Sequence, residues 1–176
     1  GSLAQGDLVL VNAAHGFEPS ASLVTVYSQK TDSYFVKDTE LSVDSRIMLP
    51  LNEWMDAFRE ATGIDNVNIV AGYRTKDYQQ KLYDNAVTTK GKAHAESYIA
   101  LPGHSEHHTG LAVDLDTYYA DTGASGDFDG TGKYAWVEEH AWQFGFTRRY
   151  PENKASVTGI AYEPWHFRYV GIPHAY

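Results

Sequence analysis

Residues Gly110–Asp116 read GLAVDLD: Leu111, Val113 and Leu115 alternate with Ala112, Asp114 and Asp116. A period of two is that of a β-strand, whose successive side chains leave on opposite faces. One face must therefore meet an apolar core. The other must supply its carboxylates with solvent or partners, because a buried unpaired charge costs several kcal/mol. The segment just before it, LPGHSEHHT (Leu101–Thr109), carries His104, His107 and His108 and delivers imidazoles beside that polar face. Three arrangements fit: a metal site, a serine-nucleophile site, or a polar loop running into a solvated strand.

The rest of the chain narrows the field. Its 176 residues suit one domain with a real core. A formal net charge of -9 excludes the basic face that nucleic acid demands and disfavours docking on anionic lipid. No apolar run approaches the roughly 20 residues of a membrane-spanning helix. The absence of cysteine removes disulfides, thiolate ligands and cysteine nucleophiles together. Residues 1–7, beginning GSLAQ, read as a linker or expression scar, with an export signal or anchor expected to have been removed, and residues 8–176 as the domain. A monomer is expected.

Short apolar or β-branched runs mark strands at Leu8–Asn12, within ASLVTVYS and within SYFVK, the last two being candidates to pair with each other. LPLNEWMDAFREA places Leu51, Trp54, Met55 and Phe58 at helical spacing, and Thr62-Gly63 stops that helix. VNIVAGY (Val67–Tyr73) predicts a buried strand. Thr75 predicts the N-cap of a helix over KDYQQKLYDNAVTTK, with Asp77 in its first turn. KYAWVEEHAWQFGF predicts a further helix, and PWHFRYVG a strand alternating Trp165, Phe167 and Tyr169 against His166 and Arg168. Helices and strands intermix without βαβ regularity, which predicts an α+β domain with a mainly antiparallel central sheet flanked by helices. DFDGTGKYAWVE spaces its acids almost as a calcium loop does, but no clear helix precedes it, so Thr131 reads instead as a helix cap. Trp136, Trp142, Phe144 and Phe146 read as core aromatics.

Without thiolates, a zinc site is built from imidazole and carboxylate, and a catalytic one keeps a position open. His107 and Asp114 are too far apart for adjacent helical turns but suit a loop folding back onto a strand, with Gly110 between them free to take positive φ. Ala112 on the same face leaves room for an ion. His166 offers a third ligand from its own strand. Glu163, extended before Pro164, could lean over the open side as a general base. His104 and His108 remain alternative ligands, and Asp114 could simply be solvated. A Ser105 nucleophile lacks the second glycine of a G-x-S-x-G elbow.

The spacing Ser-x-His-x-x-Gly-x-Ala-x-Asp, met by Ser105, His107, Gly110, Ala112 and Asp114, resembles the signature of zinc D-alanyl-D-alanine carboxypeptidases of the VanY type, relatives of lysostaphin-type peptidases and the hedgehog domain. GYRTKDYQQ upstream, and FGFTRRYPENK and YEPWHFRYVG downstream, extend the resemblance from about Leu8 to Gly171. His108 departs from it, standing where glutamine is usual. The resemblance implies the hedgehog/D-Ala-D-Ala peptidase-like fold. It implies zinc held by His107, Asp114 and His166, with Glu163 as catalytic base. It implies that Arg74, Gln79 and Ser105 hold the substrate carboxylate or the developing oxyanion, and that Tyr150 and Trp165 line the pocket. Arg148, Arg149, Lys154 and Arg168 would gather positive charge that draws in an anionic peptide.

The expected activity is removal of the C-terminal D-alanine from peptidoglycan stem pentapeptides on the extracellular face of a bacterial membrane or in the cell wall. The alternatives are L,D-carboxypeptidase action on tetrapeptides, an endopeptidase, and a metal-binding cell-wall recognition module without turnover.

Overall fold

The computed structural model describes residues 22–152 and 160–172. The strand expected at Leu8–Asn12 lies outside the described residues. In chain order the elements are β1 (Leu23–Thr25), α1 (Val26–Gln29), β2 (Phe35–Val36), β3 (Ser42–Asp44), α2 (Met48–Thr62), β4 (Val67–Ala71), α3 (Lys76–Lys90), α4 (Lys92–Tyr98), β5 (Ala112–Tyr119), β6 (Ala124–Asp127), α5 (Ala135–Ala141), β7 (Phe146–Arg148) and β8 (His166–Tyr169). The main sheet runs β2-β4-β5-β8-β7, with β6 hydrogen-bonded to the far half of β5. Its pairings are antiparallel except β2 on β4. This is the expected α+β domain.

Register explains how one sheet carries both a core and a polar face. Ile69 pairs with Leu115 and Val67 with Thr117, while Val113 pairs with Phe167. Paired residues project to the same side, and these are all buried. Helix α2 lays Leu51, Trp54, Met55 and Phe58, each 0% exposed, into the same core cluster. Trp54 stacks on Phe146 at 4.6 Å, meets Phe167 edge-on at 5.0 Å, and donates from Nε1 to the Val137 carbonyl at 3.0 Å. Each such fully buried side chain contributes about 1.5–3 kcal/mol. The opposite face carries Asn68 paired with Asp116, Asp114 with His166, and Ala112 with Arg168.

Several expected elements hold. The α2 helix ends at Gly63 in the left-handed region (φ 75°), and Thr75 caps α3 by accepting the Tyr78 N–H at 3.1 Å. Others differ. β1 pairs with β3 rather than with the SYFVK segment. Asp38 Oδ1 accepts the Glu40 and Leu41 N–H groups and turns the chain back, while buried Val26 leaves the strand for a helical turn and donates its N–H to the Leu41 carbonyl at 3.0 Å. The helix expected over Lys133–Phe146 is α-helical only in α5, with 3-10 turns on both sides. Thr131 makes no side-chain cap. Its N–H and hydroxyl both donate to Asp129 Oδ1. Strand β6 and helix α4 were not anticipated: ASGD has no apolar periodicity, and α4 starts beyond a break at Gly91.

Candidate active site

Asp114 and His166 are direct partners on the polar face of the β5–β8 ladder. His107 reaches them from a 3-10 turn, Glu106–Thr109, whose start is capped by Ser105 Oγ accepting the His107 N–H at 3.2 Å. Gly110 closes the turn at φ 72°, and a Cβ there would also lie 2.8 Å from the Asp44 nitrogen. Glycine is thus required twice, for conformation and for space. The fold-back brings one ligand atom from each of His107, Asp114 and His166 within 4.8 Å of the others. Asp127 and Asp129 belong to no such group among the described residues.

The hydrogen bonds settle which ring nitrogens face inward. His107 Nδ1 lies 2.7 Å from the Gly72 carbonyl, which only accepts, so Nδ1 carries the proton. Its Nε2 then presents a lone pair 3.2 Å from Asp114 Oδ1. Burial and, after it, the charge of Arg74 hold the His107 pKa below the usual imidazole value, so a second proton does not relieve that contact. His166 Nε2 lies 3.0 Å from Glu106 Oε2, and its Nδ1 lies 2.8 Å from the same Asp114 Oδ1. Burial opposes charge on His166, but hydrogen bonds to Asp114 and Glu106 outweigh it and push its pKa up to about 10. Burial likewise opposes charge on Asp114, yet the imidazoles of His107 and His166 that face it hold it well below the usual carboxylate range. A cation that displaced the second His166 proton would meet two imidazole lone pairs and a carboxylate, a donor set that suits zinc.

A cleft of about 330 Å³ opens over this cluster, within the range of small-ligand sites. Its lining includes Arg74, Gln79, Ser105, Tyr150, Glu163 and Trp165, so every site residue expected from the sequence reaches one cavity. Glu163 is 6% exposed, and burial pushes its carboxyl up to about 7, against the opposing charge of His166. Tyr150 is buried with its ring 4.9 Å from that of His166, and burial raises its phenol far enough to keep it neutral. Arg74 pairs with Asp114 Oδ2 at 3.3 Å rather than with nearby Asp77. Its backbone is pinned at both ends: its N–H donates to the His107 carbonyl and its own carbonyl accepts from His108 Nδ1.

Gln79, 1% exposed, donates from Nε2 to the Ala100 carbonyl at 2.7 Å, which leaves Oε1 without a hydrogen-bond partner. The free group on this buried amide is therefore an acceptor. His108 is a brace: its Nε2 accepts the Gly103 N–H at 2.9 Å while Nδ1 donates to Arg74. Both ring nitrogens are spent on backbone, which removes His108 as a competing ligand. His104 joins no ligand group among the described residues.

Two expectations change. The room beside Ala112 faces Arg168 across the ladder. Arg148, Arg149 and Arg168 do not line the cleft as a steering surface. Arg148 pairs with Glu138 at 3.3 Å and packs over the Tyr162 ring, Arg149 and Arg168 pair with Glu106, and Lys154 lies outside the described residues. Glu106 itself was missed. It is 4% exposed, and although burial opposes its charge, the hydrogen bond to His166 and the charges of Arg168, His166 and Arg149 lower it to about 2. No local signal marks it, because its partners lie far along the chain.

Fold and cleft together define an α+β domain that sets a His–Asp–His cluster, with a buried acid beside it, in the floor of a groove. The chain belongs to the VanY family: the family described as D-alanyl-D-alanine carboxypeptidase matches residues 40–172. It is 38% identical over 174 residues to a D-alanyl-D-alanine carboxypeptidase of Enterococcus faecalis, a match covering 91% of this chain and 62% of the relative. The chain thus spans less than two thirds of that protein's length. Among solved structures it resembles the LdcB LD-carboxypeptidase (TM-score 0.78, 33% identity, covering 96% of this chain and 78% of that one). It also resembles the D,D-pentapeptidase VanY from the VanB-type resistance cassette in complex with Zn(II) (TM-score 0.75, 34% identity, 96% and 90%).

Proposed function

We propose that this chain is a zinc-dependent D,D-carboxypeptidase that removes the C-terminal D-alanine from peptidoglycan stem pentapeptides. The observation that carries the reading is the meeting, in one cleft, of the buried His107–Asp114–His166 cluster and Glu163, whose carboxyl burial brings to about 7. His107, Asp114 and His166 would hold a zinc ion, which would supply Lewis-acid chemistry to this cleft when bound. Glu163 takes a proton from the attacking water and passes it to the leaving amine nitrogen, a task for which a pKa near the working pH is suited. Arg74 offers a guanidinium to the free substrate carboxylate, a pairing that ammonium cannot match in geometry. The Ser105 hydroxyl, whose oxygen accepts from His107, keeps its own proton to donate to the substrate. Gln79 Oε1 accepts a substrate N–H, and Tyr150 and Trp165 wall the groove.

The substrate places the protein's work outside the bacterial membrane, and among the described residues no helix is long and apolar enough to cross one. The likeness to LdcB favours a second reading, L,D-carboxypeptidase action on the tetrapeptide, which the same residues would perform.

The test is mass spectrometry of zinc-loaded protein with muramyl pentapeptide and tetrapeptide in one tube. Loss of one alanine from the pentapeptide alone is expected, and loss from the tetrapeptide alone selects the second reading. Glu163→Gln is expected to slow turnover by roughly 10²–10⁴-fold. No loss from either peptide by zinc-loaded protein would overturn both readings and leave the non-catalytic recognition module.

A further inference from the structure

Glu106 faces away from the position an ion would take, on the opposite edge of the His166 ring. Its Oε2 lies 3.0 Å from His166 Nε2, and its Oε1 is held by Arg149 Nε at 2.8 Å with Arg168 Nη1 at 3.5 Å. Side chains of Glu106, His166 and Arg168 are each at most 4% exposed, so water does not stand in for any of these partners. The group is assembled from three regions: the 3-10 turn before β5, the residue following β7, and the strand β8. Ala112, small and directly opposite Arg168, leaves the guanidinium room on that face.

We propose that Glu106 is a positioning residue that fixes His166 in the Nε2-protonated tautomer, so that Nδ1 presents its lone pair to the metal. The physical chain is short. Two guanidinium groups hold Glu106 as a fixed acceptor, so the ring nitrogen facing it must donate. A neutral imidazole has one N–H, and with that proton on Nε2 the lone pair belongs to Nδ1, the nitrogen nearest Asp114 Oδ1. The buried carboxylate also makes the ring a stronger donor to a cation and prevents its rotation. His107 reaches the same state by a weaker device, a backbone carbonyl on Nδ1. The two imidazoles therefore use different nitrogens, Nε2 of His107 and Nδ1 of His166. The inference rests on the metal reading of the cluster and not on the identity of the substrate.

The experiment measures zinc affinity by competition with a chromophoric chelator in wild type, Glu106→Gln and the surface control Glu96→Gln. It is joined to long-range ¹H–¹⁵N spectra of the histidine rings in zinc-loaded wild type. Glu106→Gln is expected to bind zinc roughly 10–100-fold more weakly while Glu96→Gln stays within about twofold of wild type. The spectra are expected to show His166 protonated at Nε2 and metallated at Nδ1, with the Nε2 proton moved upfield in Glu106→Gln. A wild type that takes up no zinc would sink the metal reading itself. Wild-type zinc binding together with unchanged affinity in Glu106→Gln, or with the His166 proton on Nδ1, would overturn the role of Glu106 alone. Should Glu106→Gln fail to fold, the wild-type tautomer decides.

Discussion

Glu163 pays for its chemistry in stability. An unfolded glutamate titrates near 4.3 (about), whereas burial lifts the folded carboxyl to about 7. The folded chain therefore binds that proton more tightly than the unfolded one, and the metal-free fold loses stability as pH rises from about 4 through 7. Glu163→Gln removes the titration. In metal-free protein the variant is expected to be more stable than wild type at pH 8, by on the order of 2–4 kcal/mol, with the two converging near pH 4. Urea unfolding at the two pH values checks this; equal stability at pH 8 would place the carboxylate in a better-solvated setting. At this scale the sequence disclosed much. The seven-residue separation suited a loop that folds back to bring His107 beside the strand presenting Asp114, and His166 was read on a strand of its own. Glu106 stayed hidden because its partners Arg149 and His166 lie 43 and 60 residues away. The same distance hid the use of Arg149 and Arg168, whose charge is absorbed internally.

At the scale of elements, the segment joining β4 to α3 carries an unusual share of the site, and its residues differ in what they contribute. A Cβ on Gly72 would lie 2.4 Å from the Ser42 carbonyl oxygen and 2.9 Å from Val43 Cγ1, while the neighbouring Tyr73 N–H donates to that same carbonyl at 2.7 Å. Gly72 also supplies the carbonyl that orients His107. Gly72→Ala is expected to destabilise the fold by roughly 1–3 kcal/mol, as overpacking does, and to weaken zinc binding as well. Thr75→Ala removes only the cap of α3 and is expected to cost about 1 kcal/mol with zinc affinity unchanged. Thermal unfolding and chelator competition on both variants separate the two effects; a Gly72→Ala protein with wild-type affinity would detach this carbonyl from the site. The sequence displayed α2, β5 and β8 through their periodicity, β4 through its apolar run and α3 through its Thr75 cap. It concealed the partners of β1 and β2, because two- and three-residue strands carry too few side chains to specify a neighbour. It concealed β6 for a related reason, since a largely exposed strand has no apolar face to display.

For the molecule as a whole, the sheet separates two kinds of cohesion. One face is held by an aromatic and aliphatic core around Trp54, and the other gathers His107, Asp114 and His166 from a turn and two strands. An ion on that second face would tie together segments that the apolar core touches only from behind, in a chain whose formal net charge is -9. Binding to the folded state alone stabilises it by mass action, about 2.7 kcal/mol at a free concentration 100 times Kd. For a domain of this size that corresponds to a rise in Tm of about 5–10 °C. Chelation should reverse the rise. Magnesium should not reproduce it, since two of the three ligands are imidazoles and magnesium prefers oxygen. Scanning calorimetry of chelated, zinc-loaded and magnesium-treated protein therefore reads the cluster without reference to any substrate. Identical transitions in all three would mean that the buried ligands hold no metal and that the convergence on Asp114 is met by protons alone.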